Sequence, residues 1–239
     1  MKALFPFFAL ICLWSSTLYS QSSMEGKNVL IVYGGWKGHH PEVFAKKIAS
    51  WLENQKANVT LSESTASYTD NELMQSLDLV IQHITMSEMS NRESKGLRDA
   101  IARGVGLAGC HGGLGDSFRN DTEYQYMVGG QFVKHPGGQI DYEVTISNST
   151  DPITAGINDF SLKTEQYYKH FDPNIEILAT TSFSGQHDAW IDGVEMPVVW
   201  KKTYGKGRVF YSALGHSEDI FEIPEAWNIM TRGIEWAVK

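Results

Sequence analysis

Residues Asn28 to Tyr33 read Asn-Val-Leu-Ile-Val-Tyr, a short run with no polar residue breaking its apolar, β-branched core. A strand with one wet face alternates apolar and polar side chains. A continuous run must be covered on both faces, as in a parallel sheet flanked by helices. The run ends at Gly34-Gly35. Pro41 then stands where a first helical position belongs, and Phe44, Ile48, Trp51 and Leu52 follow at helical spacing. The same unit recurs downstream. Asn58 to Ser62 and Leu77 to Gln82 are predicted strands, the second ending at His83. Ser90 and Glu93 have capping-box spacing for a helix with Leu97, Ala100 and Ile101 on its apolar face and Gly104 at its stop. Val105 to Cys110 is a fourth strand, breaking into His111-Gly112-Gly113-Leu114-Gly115. Strands alternating with helices predict an α/β fold on a mainly parallel sheet.

From Asp141 the rhythm changes. Tyr142, Val144 and Ile146 alternate with polar residues, as on an antiparallel or edge strand. Ile175 to Thr181, Pro197 to Tyr204 and Arg208 to Ser212 are further β runs, and Gly205-Lys206-Gly207 reads as the hairpin turn between the last two. Pro224 opens a closing helix with Trp227, Met230, Ile234 and Ala237 on one face. No linker-like stretch or internal repeat interrupts residues 28–238, so the expectation is one domain with a β-rich insertion. The 239 residues carry 20 basic and 28 acidic side chains with no block of Lys or Arg, which argues against nucleic acid or an anionic membrane surface as partner. Two cysteines are too few for a disulfide framework.

Met1 and Lys2 precede an apolar run from Ala3 to Trp14 and a small polar stretch ending at Ser20. That is the layout of a secretory signal over residues 1–20, cleaved to leave Gln21. The run is too short to span ~30 Å of hydrocarbon comfortably, and no later segment is apolar enough to cross a membrane. The expectation is an exported protein, periplasmic or extracellular. Cleavage removes Cys12 and leaves Cys110 as the one cysteine, expected to be a buried thiol.

Ligands of open α/β sheets bind beyond the carboxyl ends of the strands. Histidines follow four predicted strands: His39 and His40 the first, His83 the third, His111 the fourth and His216 the last. One histidine at a strand end ordinarily caps or hydrogen-bonds. Five of the chain's eight on one predicted edge point instead to a site. Neutral imidazole serves as a general base or as a metal ligand. No short motif of the His-Glu-x-x-His kind is present, so a zinc site would have to assemble from distant loops. Glu165, Asp172 and Glu218 are the carboxylates available to complete such a set.

Gly109-Cys110-His111-Gly112-Gly113 has the glycine-rich form of a nucleophile elbow. Aligning the glycines puts His111, not Cys110, at the displayed position, and strand alternation turns Cys110 away. No Walker lysine or Gly-x-Gly-x-x-Gly follows the first strand, which argues against a nucleotide. Trp36, Trp190, Tyr167 and Tyr168 are aromatics available to stack on sugar faces or to pack at a rim.

Together these segments resemble the ThuA-like (trehalose utilisation) family of the class I glutamine amidotransferase-like superfamily. The likeness rests on Val-Tyr-Gly-Gly-Trp-Lys-Gly-His-His-Pro (32–41), Gly-Leu-Ala-Gly-Cys-His-Gly-Gly (106–113) and Phe-Val-Lys-His-Pro-Gly (132–137). It continues through Asp-Pro-Ile-Thr-Ala-Gly-Ile (151–157), Thr-Glu-Gln-Tyr-Tyr (164–168), residues 197–216 and Arg-Gly-Ile-Glu-Trp-Ala (232–237). The resemblance implies a flavodoxin-like three-layer sandwich without the amidotransferase cysteine. It implies a pocket of His39, His111, His135, Glu165, Tyr167 and His216, and a link to disaccharide breakdown through 3-keto sugars. His40 is a departure, because relatives similar to this chain often carry Glu after that first histidine.

The expectation is therefore an exported protein acting on 3-keto-glycosides or related sugars. His111 or His216 is the expected base, Glu165 its acid or orienting partner, and Trp36, His39, His135 and Tyr167 bind the substrate. A divalent ion, zinc or manganese, is the cofactor such a set admits by polarising the ketone. The partner is a small carbohydrate, and a homo-oligomer is left open. The alternative is a carbohydrate-binding protein that keeps the fold without the chemistry. Glutaminase activity is not expected.

Overall fold

The computed structural model describes residues 24–238, so the secretory signal expected over residues 1–20 lies outside the described residues. In chain order the first half runs β1 (Asn28–Gly35), α1 (Pro41–Asn54), β2 (Asn58–Ser62), α2 (Asn71–Ser76), β3 (Leu79–Thr85), α3 (Asn91–Arg103), β4 (Gly106–Cys110) and α4 (His111–Gly115). It continues α5 (Thr122–Val128), β5 (Gly130–Lys134), β6 (Gln139–Ile146), β7 (Phe160–Glu165), β8 (Tyr168–Phe171), β9 (Glu176–Ser182), β10 (Glu195–Tyr204), β11 (Gly207–Ser212) and α6 (Pro224–Ala237). Nine strands form one mixed sheet in the order β2-β1-β3-β4-β11-β10-β9-β6-β7, and β5 pairs separately with β8. The first five in that order are mutually parallel. Each later neighbour is antiparallel to the one before it. Four reversals bring β7 back into the direction of β11, so its carboxyl end lies at the same edge as those of β1, β3 and β4.

Helices cover both faces of the parallel strands. Alternation along β3 and β4 sends His83 and Cys110 to one side, where Phe44 of α1 stacks on His83 at 4.0 Å and the end of α6 closes on Gly106. Gln82 and Gly109 face the other side. There the buried Gln82 amide accepts from the Tyr68 hydroxyl and donates to that of Tyr124 on α5, at 2.9 and 2.6 Å. Every polar atom of that glutamine is thereby met, which is what makes it tolerable in the core. Trp200 of β10 is fully buried with its Nε1 donating to the Val128 carbonyl at 3.0 Å. An indole so placed is worth about 3–5 kcal/mol against alanine.

The local signals act as expected. Pro41 and Pro224 open α1 and α6, and Ser90 and Glu93 form the reciprocal capping box of α3. Tyr204 pairs with Gly207 across a two-residue turn in which Gly205 has φ 60°. One expectation fails: β3 does not end at Gln82 but runs to Thr85, so His83 lies inside the strand, 1% exposed, and not in a loop at the edge. The cause is β1, whose Gly34 and Gly35 continue the pairing opposite Ile84 and Thr85. A Cβ on Gly35 would stand 2.1 Å from the Thr85 carbonyl oxygen, so glycine there lets the two backbones stay paired.

Candidate active site

Four elements deliver side chains to one point at the carboxyl edge. His39 closes a 3-10 turn (Lys37–His39) after β1, and its Nδ1 is 2.8 Å from the Thr85 hydroxyl at the end of β3. His111 is the first residue of α4 and holds φ at 49°, a left-handed conformation that costs a non-glycine residue about 1 kcal/mol. This is the elbow: the chain turns sharply off β4 and displays the ring. The glycines after it are needed for space. A Cβ on Gly112 would come within 2.6 Å of the His39 ring, and one on Gly113 within 2.2 Å of His83. His216 follows β11, and Glu165 is the last residue of β7.

One ligand-capable atom from each of His39, His111, Glu165 and His216 lies within 4.8 Å of all the others. The His111 Nδ1 donates to the Ala213 carbonyl at 2.8 Å, which leaves Nε2 facing Glu165 Oε2 at 3.1 Å. His216 Nδ1 is 3.2 Å from the same carboxylate oxygen but off the direction of a hydrogen bond, while its Nε2 accepts from the Gln139 amide at 3.1 Å. His135, in the turn between β5 and β6, sets Nε2 at 3.6 Å from Glu165 Oε1, and its Nδ1 is shielded with no partner. Burial, then the neighbouring imidazoles, pushes His39 down to about 2. Burial also lowers His111, against the pull of Glu165. For Glu165 burial acts upward, but the His111 and His216 rings set against the carboxylate outweigh it and hold the carboxyl below its usual range. The result is a carboxylate held anionic beside His39 and His111, two rings that burial keeps from taking up a proton.

Tyr167 is 3% exposed and stacks on His111 at 4.1 Å, backing the imidazole. Trp36 is 46% exposed at the rim, edge-on to His39 at 4.7 Å. The remaining candidates go elsewhere. His40 pairs with Glu218 at 2.7 Å, Asp172 pairs with Lys202 at 2.7 Å, and His83 packs under α1. Trp190 is 80% exposed on a separate 3-10 turn, and Tyr168 lies against Phe183. Cys110 is fully buried, 3.8 Å from His83, and burial raises its thiol, so it offers no nucleophile. Three groups that orient the rings went unread in the sequence: Thr85, Gln139 and the Ala213 carbonyl. Only Gln139 carried a signal, standing just after the turn that holds His135.

Fold and site together define a class: an α/β protein with a histidine–carboxylate centre at the carboxyl edge of its parallel strands. Residues 28–237 match the sequence model of the ThuA family, described as trehalose utilisation, and the chain belongs to that family. Among solved structures, a ThuA-like protein from Parabacteroides merdae is 18% identical with a TM-score of 0.71, covering 89% of this chain and 90% of that one. A ThuA-like protein from Bacteroides uniformis is 14% identical with a TM-score of 0.69, over 88% and 90%. A β-galactosidase from Bacillus circulans shares the fold over 93% of this chain but only 32% of its own, at 14% identity and a TM-score of 0.54. No curated protein sequence matched. No helix among the described residues is long and apolar enough to cross a membrane.

Proposed function

We propose that the protein is an exported acid/base enzyme acting on oxidised glycosides of the 3-keto type, within the sugar utilisation to which its family is linked. One observation carries the reading: three imidazoles converge on an anionic Glu165, with a fourth, His135, at the mouth. A ketone at sugar C3 acidifies the C–H bond at C2. A base takes that proton and the electron pair forms the C2–C3 enolate. Collapse of the enolate restores the ketone, makes a C1–C2 double bond and breaks the C1–O glycosidic bond. The departing oxygen takes up a proton, leaving an enone and a free alcohol.

The geometry moves one role. Both nitrogens of His111 are engaged by protein groups, so we assign proton transfer to His135, the half-exposed imidazole at the mouth whose Nε2 stands 3.6 Å from Glu165 Oε1. The cluster of His39, His216 and Glu165 is assigned to the enolate oxygen and Trp36 to a sugar face. A cavity of about 530 Å³ lined by Gln139, Lys163, Gln166, Ser182, Gln186 and His187 adjoins the cluster through Gln139. Its amides and hydroxyl suit the donors and acceptors of a sugar. The parallel order β2-β1-β3-β4-β11 supports a flavodoxin-like three-layer fold, with residues 111–206 inserted between its last two strands. Export rests on residues 1–20, and mass spectrometry of the secreted chain tests it by finding Gln21 as the terminus.

A second reading has its own support, since a fully engaged His111 also suits a protein that only binds sugar. Incubation with 4-nitrophenyl 3-keto-glucoside separates the two. The enzyme releases nitrophenol from the keto-glycoside and none from the unoxidised glucoside, and His135→Asn slows release by about 10² or more. Calorimetric binding without release selects the binding protein. Neither binding nor release refutes both.

A further inference from the structure

We propose that His39, His111, His216 and Glu165 bind a single divalent transition-metal ion, zinc first among them. The inference stands on the lone pairs. His111 spends its one proton-bearing nitrogen on the Ala213 carbonyl, so the nitrogen 3.1 Å from Glu165 Oε2 is an acceptor facing an acceptor. His216 Nδ1 lies 3.2 Å from the same oxygen, buried and without a hydrogen bond, and turning the Gln139 amide so that its oxygen accepts from His216 Nε2 gives that Nδ1 a lone pair for the centre. The third ring, His39, has Nδ1 held by the Thr85 hydroxyl, and its Nε2 is the nitrogen left for the centre. One cation at the centre meets the His111 lone pair and the carboxylate it opposes, and takes the His216 and His39 nitrogens as further ligands.

The surroundings fit an ion as well as the ligands do. Each ring is held from behind by a different group: the Ala213 carbonyl for His111, the Thr85 hydroxyl for His39 and the Gln139 amide for His216. Outer contacts of this kind fix which nitrogen a metal meets and at what angle. The edge of a tetrahedron around zinc with bonds of about 2.1 Å is about 3.4 Å. The two edges meeting at Glu165 Oε2 measure 3.1 and 3.2 Å, and no pair in the set exceeds 4.8 Å. Small rotations therefore bring all four atoms to bonding distance. Three imidazoles and one carboxylate with no thiolate suit a borderline ion such as zinc rather than magnesium or calcium. Zinc with four protein ligands can accept a fifth from a substrate oxygen, which would polarise a bound ketone. Glu165 keeps its second oxygen, Oε1, towards His135 at 3.6 Å.

The test uses the full secreted chain without a histidine tag, stripped with chelator, dialysed against trace zinc chloride and analysed for metal. We expect one zinc per chain and a melting temperature that rises with zinc. His170→Asn, an exposed histidine outside the cluster, should keep both. Glu165→Gln and His216→Asn should each weaken zinc binding by tenfold or more while retaining the circular dichroism of the parent. Manganese chloride in a parallel dialysis reports on selectivity, with zinc expected to displace it. No zinc above the level of the Glu165→Gln form overturns the proposal, as does a stoichiometry that falls only in His170→Asn. The sugar reading is judged separately, because one zinc without turnover of a keto-glycoside removes that reading and leaves the metal site intact.

Discussion

Lys169 offers a sharp test of how the ground behind the site is built. It lies on β8, 2% exposed, with Nζ donating to the Tyr167 carbonyl at 3.2 Å and standing 5.9 Å from the rings of Tyr167 and Trp200. Burial lowers its ammonium from an ordinary 10.5 to about 7. In the unfolded chain it keeps its proton up to the ordinary value, so between about pH 7 and 10.5 the unfolded state holds more protons and stability rises with pH. Below about pH 7 the full penalty applies. A fall of that size, at ~1.4 kcal/mol per pH unit, sets a ceiling of about 5 kcal/mol. Lys169→Met keeps the bulk behind Tyr167 and removes the charge. It also forfeits the carbonyl hydrogen bond and the contacts with the two rings, together about 2 kcal/mol. The expected outcome in urea denaturation is a variant about 3 kcal/mol more stable than the parent at pH 6, with the advantage gone or reversed by pH 10. A variant less stable than the parent at pH 6, or a difference unchanged between the two pH values, refutes the reasoning.

Other expectations follow from single contacts. Gly113→Ala drives a methyl to 2.2 Å from His83 and should lower stability by about 1–3 kcal/mol, so an unchanged melting temperature would contradict the packing described. Cys110 should resist iodoacetamide in the native protein and react fully in guanidinium, and mass spectrometry showing native labelling would refute its burial. Ser90→Ala removes the N-cap of α3 and should cost about 1 kcal/mol in denaturant, with no loss if the capping box is not formed in solution.

Much of the parallel half was legible because its signals are local. An unbroken apolar run marks β1, a proline opens α1, and Ser90 and Glu93 cap α3 whatever surrounds them. The end of β3 was not local. His83 looks like a loop histidine until Gly34 and Gly35 extend β1 and carry β3 with it, and that pairing is tertiary. The same distinction divides the site. His39, His111 and His216 leave strands whose direction the α/β pattern fixes. The residues alone left Glu165, Asp172 and Glu218 equivalent, because the choice depends on how many antiparallel partners separate β7 from β11. Lys202 and His40 take the other two carboxylates, contacts that no spacing in the sequence marks. The elbow was the exception, since two glycines after His111 mark its turn and its left-handed φ follows.

Proton transfer next to a sugar ketone is the role proposed for this cluster. Proton NMR of methyl 3-keto-glucoside incubated with the protein in D₂O tests it directly. The C2 proton should exchange for deuterium far faster than in buffer, and His135→Asn should abolish the acceleration while the ligand still binds. Binding of the keto-sugar with no exchange above buffer would contradict it.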